Sequence, residues 1–268
     1  MILLDGSKLS KKILNGLGRK VSRSKKKLRL AAVLAGQDPA SLVFLKYKEK
    51  ACQKAGIDFK LYKFPENISQ EVLTKRVESI CADPQNNGVV VQLPLPKNIK
   101  AQEILNLVPV QKDVDKLSEK SLSSKILSPV IQGIADLFKE YKIEIKGKKV
   151  AVLGNGKLVG KPAANWAQAQ GAEVTVIDSS TKNMIKITKQ ADVLICGTGK
   201  SGLVKAFMIK KGAVVIDAGT AEQGKSLAGD VDFKSVSSKA SFLTPVPGGI
   251  GPMTIAGVIK NLVILNKE

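Results

Sequence analysis

Short apolar runs alternate with longer segments of helical periodicity along most of the chain. Alternation of strand-like and helix-like segments is typical of an α/β architecture. In the first half we predict strands over 28–35, 59–63 and 88–92 and helices over 40–55 and 70–81. In the second half we predict a helix near 131–141, strands over 149–153, 173–177, 192–196, 213–217 and 240–243, and a final helix over 253–265.

A glycine-rich loop lies between the strand predicted at 149–153 and a helical stretch at 163–170. Glycines permit a tight turn and a close approach of backbone to phosphate, and the N–H groups that open a helix favour an anion. The spacing alone is a weak signal, but its position between strand and helix strengthens it. We therefore predict a dinucleotide site formed by Gly154, Asn155, Gly156 and Gly160.

Asp178 ends the next predicted strand, about as far beyond the glycine loop as a ribose-binding acid usually lies. With Ser179 beside it, its carboxylate favours NAD, because it would repel the 2′-phosphate of NADP. Lys157, Lys161 and Lys182 carry charges that would offset this repulsion, so NADP stays open. The alternative interpretation is a turn-forming aspartate that contacts no ligand.

The segment 244–254 concentrates three prolines and three glycines in eleven residues. Such a loop is stiff and brings bare backbone close to a flat ligand. A sharp strand-to-helix turn needs only about two to four such residues, so we predict a ligand contact here. A second stiff exit follows the apolar run 88–91, where Gln92 precedes Leu-Pro-Leu-Pro. A glutamine at the carboxyl end of a strand points into the crevice where α/β sheets bind ligands.

These runs resemble the bifunctional methylenetetrahydrofolate dehydrogenase/cyclohydrolase family, in the family's order and over nearly the whole chain. The most specific matches are Val-Gln-Leu-Pro-Leu-Pro at 91–96 and Pro-Val-Pro-Gly-Gly-Ile-Gly-Pro-Met-Thr at 245–254, with Lys-Asp-Val-Asp at 112–115 as a further match. The resemblance implies a folate-binding catalytic domain over 1–120, to which a C-terminal helix at 252–268 returns. It also implies a Rossmann-like NAD(P)-binding domain over 121–251, joined through the polar stretch 116–125.

Ser41, Phe44 and Lys48 share one face of a predicted helix. The resemblance implies that Lys48 is the catalytic lysine, that Gln92 orients it, and that Phe44 stands where the family has a tyrosine stacked near the pterin. Asp115 corresponds to the aspartate that accepts hydrogen bonds from the amino-pyrimidine edge of the pterin. The alternatives for Lys48, Gln92 and Asp115 are a solvated lysine, a polar strand end and a loop-stabilising aspartate.

Further contacts are expected at two sets of loop residues. The segments that end the later strands should close over the nicotinamide through Thr198, Gly199 and Thr220. Substrate contacts are expected at Ser41, Pro247, Gly248 and Gly249.

The activity implied by the resemblance is oxidation of 5,10-methylenetetrahydrofolate with NADP or NAD, followed by hydrolysis to 10-formyltetrahydrofolate. No metal is required. The chain departs from the family at Phe44, at Lys-Leu-Ser-Glu (116–119) in place of a Gly-Phe-His-Pro-like continuation, and at Ser-Pro-Val-Ile-Gln-Gly (128–133). Two alternatives therefore remain: an enzyme of the same fold with only one of the activities, and a non-catalytic nucleotide-binding descendant.

Composition adds four constraints. The formal charge is +20 with no histidine, which removes the commonest acid–base catalyst and gives weight to Lys48. Most of the positive charge is lysine spread along the chain, which disfavours specific nucleic-acid binding but suits dinucleotides and folate tails, including polyglutamylated ones. Three cysteines without metal-like spacing indicate a cytoplasmic protein. No apolar run approaches membrane-spanning length, and the resemblance implies a homodimer.

Overall fold

The computed structural model of the protein describes residues 1–121, 123–223 and 226–267. The chain divides into two compact units. We call them the six-stranded unit, Met1–Ser10 with Val130–Thr254, and the three-stranded unit, Lys11–Pro129 with Ile255–Glu268.

Strands and helices alternate as the apolar pattern predicts, and the α/β fold class is confirmed. The strands are β1 (Ile2–Leu3), β2 (Arg29–Ala35), β3 (Asp58–Phe64), β4 (Gly88–Val91), β5 (Lys149–Leu153), β6 (Glu173–Ile177), β7 (Val193–Cys196), β8 (Val214–Asp217), β9 (Ala221–Gln223), β10 (Ser226–Ala228) and β11 (Phe242–Leu243). The helices are α1 (Gly6–Val21), α2 (Pro39–Ala55), α3 (Gln70–Ala82), α4 (Ala101–Leu105), α5 (Pro129–Glu140), α6 (Gly160–Ala169), α7 (Met184–Thr188), α8 (Phe233–Val236) and α9 (Ile250–Leu265). Short 3-10 turns lie at Glu119–Ser121 and Ala206–Met208.

The three-stranded unit has a parallel sheet in the order β3-β2-β4. Its central strand β2 is apolar and almost wholly buried, as expected for a parallel sheet covered on both faces. The first residue of β4 is Gly88. A larger residue does not fit there, because an added Cβ would lie 2.6 Å from the side chain of Leu262 in α9. Residues of α9, including Ile259 and Leu262, share one aliphatic core with Leu30 and Val90. The predicted return of the C-terminal helix to the first domain is therefore confirmed.

The six-stranded unit has a sheet in the order β1-β11-β8-β7-β5-β6, and all its pairings are parallel. Strands β7 and β8 are buried along their whole length, and β5 is buried beyond its first residue. The carboxyl ends of these strands lie at one edge of the sheet, where α/β folds bind their ligands. A separate two-stranded antiparallel sheet pairs β9 with β10.

The two units divide the chain at other residues than the predicted domains do, and the limits differ at 1–10, 121–129 and 252–254. Residues 1–10 were expected in the first domain, but they belong to the six-stranded unit because β1 pairs with β11, with Ile2 opposite Phe242. Residues 121–129 were expected in the second domain, but they belong to the three-stranded unit, where Asn261 donates to the carbonyl of Leu127 at 2.9 Å. Leu122, inside the predicted connection, lies outside the described residues. Within the described ranges, no helix is long and apolar enough to cross a membrane.

Candidate active site

Lys48 lies on the buried face of α2, with its side chain only 8% exposed. Two residues stabilise the start of this helix. Pro39 occupies the first turn, and the Asp38 carboxylate accepts the N–H of Ser41 at 2.8 Å. A buried lysine on a helix is unusual and requires polar partners. The buried residues of this helix are Ser41, Leu45, Lys48, Ala51, Cys52 and Ala55.

Gln92 is the direct partner of the lysine. Its main-chain N–H donates to Val33 at 2.9 Å, which fixes the end of β4 beside β2. Its side-chain Nε2 donates to the carbonyl of Leu93 at 2.8 Å, so Oε1 is left to accept from Lys48 Nζ at 3.0 Å. The hydroxyl of Ser41 donates to the same Leu93 carbonyl at 3.1 Å. The structure thus brings Ser41, Lys48 and Gln92 into one buried hydrogen-bonded network.

Asp115 completes this group on a third segment. Its Oδ2 lies 4.0 Å from Lys48 Nζ, and its side chain is 16% exposed. Burial raises the pKa of Asp115; the charge of Lys48 opposes that shift and the charge of Asp113 adds to it. Lys48 therefore lies between the neutral acceptor Gln92 and the carboxylate of Asp115. A further hydrogen-bond donor, such as one on a ligand, would stabilise the charged form of Asp115.

Phe44 precedes Lys48 by one turn of α2. Its ring is half-buried and packs against the aliphatic core that includes α9. Stacking of this ring on a ligand stays a prediction.

The glycine loop after β5 is defined by backbone contacts. Gly154 has φ of 106°, a conformation that favours glycine. An added Cβ at Gly160 would lie 2.1 Å from the carbonyl oxygen of Gly154, so only glycine fits there. At Gly156, by contrast, an added Cβ meets no atom of the described chain within 4 Å, and neighbouring Asn155 is exposed. The loop therefore has two structural glycines and one open to solvent.

Helix α6 begins at Gly160, earlier than the predicted start at 163. Its N-cap residue, Val159, makes no side-chain capping hydrogen bond. The N–H of Lys161 donates to Gly156 at 3.0 Å, which ties the helix start to the glycine loop. An uncapped helix start beside exposed glycine backbone suits a phosphate.

Asp178 is exposed at the end of β6 and builds a turn. Its Oδ1 accepts from the N–H and hydroxyl of Ser180, at 3.0 and 2.7 Å, and from the hydroxyl of Thr181 at 3.2 Å. These bonds, led by the Ser180 hydroxyl, lower the pKa of Asp178. The geometry gives Asp178 a turn-forming role, and contact with a ribose stays a prediction. Ser179 beside it is exposed.

Thr198, Gly199 and Thr220 lie beyond β7 and β8, where the sequence predicts them. The N–H of Thr198 donates to Asp230 Oδ2 at 2.5 Å, Gly199 has φ of 70°, and Thr220 is exposed. Sequence reasoning assigned no role to Asp230, whose side chain is fully buried.

Asp217 is a second buried carboxylate in these loops. It accepts from the N–H groups of Gly219, Asp230 and Val231 at 3.0, 3.1 and 2.9 Å. Burial is the main cause that raises the pKa of Asp217 to about 6, against the opposing effect of these bonds. An added Cβ at Gly229 would lie 2.0 Å from Asp217 Oδ2. The available sequence signal was an aspartate at a strand end with Gly-Asp-Val-Asp at 229–232.

The proline-glycine loop after β11 is also fixed by backbone contacts. The peptide bond before Pro247 is cis, and Gly248 has φ of 109°. An added Cβ at Gly249 would lie 2.5 Å from the carbonyl of Pro245, and the N–H of Ser7 donates to Gly248 at 2.9 Å. Pro247, Gly248 and Gly249 belong to the six-stranded unit, whereas Ser41 belongs to the three-stranded unit. No group of three or more potential metal ligands occurs within the described part of the chain.

Two family models match the chain, one for each of its halves. The catalytic-domain model of the tetrahydrofolate dehydrogenase/cyclohydrolase family matches residues 4–115, and its NAD(P)-binding-domain model matches residues 128–268. The bifunctional protein FolD of Nautilia profundicola is 43% identical, over 98% of this chain and 96% of its own.

Two solved structures share the fold over almost the whole chain. The crystal structure of the bifunctional enzyme FolD from Campylobacter jejuni is 37% identical, with a TM-score of 0.94 over 99% of this chain and 98% of its own. The Trypanosoma brucei enzyme, complexed with NADP cofactor and inhibitor, is 30% identical, with a TM-score of 0.93 over 99% and 97%. The chain therefore belongs to the tetrahydrofolate dehydrogenase/cyclohydrolase family.

Proposed function

We propose that this chain oxidises 5,10-methylenetetrahydrofolate with NADP or NAD, hydrolyses the methenyl product to 10-formyltetrahydrofolate, and uses Lys48 for the proton transfers. The observation that carries the proposal is the buried Lys48–Gln92 hydrogen bond of 3.0 Å with Asp115 beside it. A lysine held this way in a chain without histidine is the group best placed for acid–base chemistry.

In the dehydrogenase step, the bound nicotinamide supplies the hydride acceptor. The chain's own contribution is to hold the substrate in line for transfer, which reduces the entropic cost of reaction. Asp115 would bind the amino-pyrimidine edge of the pterin, because that edge presents donors and the largely buried carboxylate gains from them. Phe44 would offer an apolar face to the ring.

In the hydrolase step, water adds to the methenyl carbon and a C–N bond then opens. One proton must leave the attacking water and another must reach the departing nitrogen. Lys48 would accept the first proton as a neutral amine and then, as the ammonium, deliver a proton to the departing nitrogen, while the remaining O–H proton passes to solvent as the carbonyl forms. Gln92 Oε1 would orient Nζ in both states. Gln92 is itself fixed by Leu93, so the lysine needs little reorganisation during the step.

The cofactor would be held mainly by backbone. Gly154, Asn155, Gly156 and the start of α6 at Gly160 would receive the pyrophosphate. Thr198, Gly199 and Thr220 would flank the nicotinamide, and Asp178 and Ser179 the adenosine ribose. Asp178 favours NAD by its charge, whereas Lys157, Lys161 and Lys182 favour NADP.

We also propose a cytoplasmic homodimer that accepts polyglutamylated folates. The formal charge of +20 favours the polyanionic tail, and the three buried free cysteines suit a reducing compartment. Strand β6 lies at one edge of the larger sheet, where a second copy could contact the six-stranded unit. Light scattering on the purified chain measures the assembly state directly.

The test is the absorbance of methenyltetrahydrofolate, followed with NAD and NADP in parallel. Formation followed by decay is expected. Formation without accelerated decay would indicate the single-activity alternative with dehydrogenase alone, and decay of added methenyltetrahydrofolate without formation would indicate the hydrolase alone. Nucleotide binding without either reaction would identify a non-catalytic descendant and refute the proposal.

A further inference from the structure

Lys116 follows Asp115 directly and has φ of 55°, in the left-handed region. Residues with a side chain rarely adopt this conformation, because the Cβ crowds the backbone. The family resemblance places a glycine at this point, so the lysine keeps a glycine conformation at an energetic cost. Contacts made by the side chain can offset part of that cost.

The side chain of Lys116 makes two such contacts. Its Nζ donates to the carbonyl of Ser124 at 3.0 Å and to the carbonyl of Ile126 at 2.7 Å. Desolvation lowers the pKa of Lys116, while the charge of Asp113 opposes the shift. The ammonium is therefore drawn partly out of water to tie its own loop to the segment 124–126.

Asp115 is tied on its other side as well. Asn261 Nδ2 donates to the carbonyl of Val114 at 2.9 Å and to the carbonyl of Leu127 at 2.9 Å. The residues before and after Asp115 are thus both attached to one segment, 124–127, by side chains that bridge main-chain carbonyls. Asp113 stiffens the same loop, since its carboxylate accepts the N–H of Ser118 at 2.9 Å.

We propose that Lys116 is a positioning residue for folate binding: its bonds to Ser124 and Ile126 hold the main chain so that the Asp115 carboxylate meets the pterin. This rests on the proposed function, in which Asp115 binds the amino-pyrimidine edge. Lys116 itself contacts carbonyls of the chain and no reacting atom. A glycine at this position could not form these two bonds, so the lysine makes the loop more rigid.

The test is Lys116→Met, which keeps the length of the side chain and removes both bonds. The KM for 5,10-methylenetetrahydrofolate and the Kd for folic acid should each rise about fivefold to tenfold, as expected for one or two lost hydrogen bonds. The kcat should change by less than about twofold, and the Kd for NADP should not change. Lys116→Arg, which retains donors, should recover most of the loss.

Lys125→Met is the matched control, since Lys125 is an exposed lysine of the same segment. It removes the same charge and should leave all four constants unchanged. Lys116→Gly provides the same measurements if methionine destabilises the unit, because glycine relieves the left-handed conformation while it removes the ties.

An unchanged folic acid Kd in both Lys116→Met and Lys116→Gly would overturn the proposal, as would an equal loss in Lys125→Met. A wild-type chain that binds folic acid without turnover would instead refute the proposed reaction. The ratio of folic acid constants would then still decide the role of Lys116.

Discussion

The two units carry their candidate functional residues in opposite ways. In the three-stranded unit, Ser41, Lys48 and Gln92 are all buried, and their side chains bond to one another or to the same carbonyl. In the six-stranded unit, Asn155, Gly156, Asp178, Ser179, Gly199 and Thr220 are exposed. There the shape comes from backbone approaches, such as the one between Gly160 and Gly154.

This difference reflects what each site must select. A proton-transfer site depends on the chemical identity and orientation of a few groups, and burial strengthens their interactions. A dinucleotide site depends on N–H groups at fixed places, which almost any residue supplies if the backbone path is right. Substitutions should therefore separate the two: loss of a functional group should stop the reaction in one unit, and an added methyl group should block binding in the other.

Lys48→Met should give the largest effect. Methionine keeps the packing but carries no proton, so hydrolysis of methenyltetrahydrofolate should fall by about 100-fold to 10,000-fold. The Kd for NADP should stay within about twofold, because the lysine belongs to the other unit. Stopped-flow absorbance and a nucleotide titration measure the two quantities.

Lys46→Met serves as the control for this experiment, since Lys46 is an exposed lysine on the same helix. It should hydrolyse at the wild-type rate. Undiminished hydrolysis in Lys48→Met would remove this lysine from the mechanism.

Gly160→Ala should have the next largest effect. The added methyl group would lie 2.1 Å from a main-chain oxygen, so the loop or the start of α6 must move. Overpacking of this kind destabilises by about 1–3 kcal/mol, and NADP affinity should fall about tenfold to a hundredfold as the N–H groups shift. Folic acid affinity should not change.

Gly156→Ala sharpens this comparison within the same loop. Its methyl group meets no described atom within 4 Å, so the thermal midpoint should equal that of the wild type. If Gly156 faces the pyrophosphate, its NADP affinity should nevertheless fall. Equal thermal midpoints in Gly156→Ala and Gly160→Ala would contradict the structural role of Gly160.

Sequence alone predicted most of the central strands and helices, since each carries its own apolar pattern. Local pattern also placed the glycine loop and Gln92 at a strand end, whereas the pairing of Lys48 with Gln92 was predicted from the family resemblance. It gave no prediction for α1, although the buried Leu14, Leu17 and Val21 recur at helical spacing there. It also missed β1, because a two-residue strand with exposed side chains has no usable period. Short strands of this kind are identified only by the partner that they pair with.

Hydrogen bonds between residues far apart in the sequence could not be predicted from it either. Asn261 reaches the carbonyl of Val114 across 147 positions, and no local pattern marks that contact. Lys116 was predicted only as part of the polar stretch that joins the domains, and its backbone angle and two carbonyl partners are visible only in the structure. Asp217 and Asp230 carried a signal, but their burial under the loops depends on the packed sheet.

Asp178 is an exception to the difference between the two units. It lies in the six-stranded unit, where backbone contacts shape the site, yet its side chain is expected to determine the preference for NAD or NADP. Asp178→Asn is the appropriate change: the amide retains Oδ1 as acceptor for Ser180 and Thr181, so the turn survives while the charge is lost. If the carboxylate faces the adenosine ribose, affinity for NADP should rise relative to NAD by about tenfold, since a like charge no longer opposes the 2′-phosphate.

Asp232→Asn is the matched control, because Asp232 likewise accepts a main-chain N–H, that of Ser235, at the start of α8. Titration of both cofactors into wild type and both variants gives the ratio of dissociation constants. A ratio that moves in neither variant would leave Asp178 as a turn residue alone, and cofactor choice would then rest on the backbone and the nearby lysines.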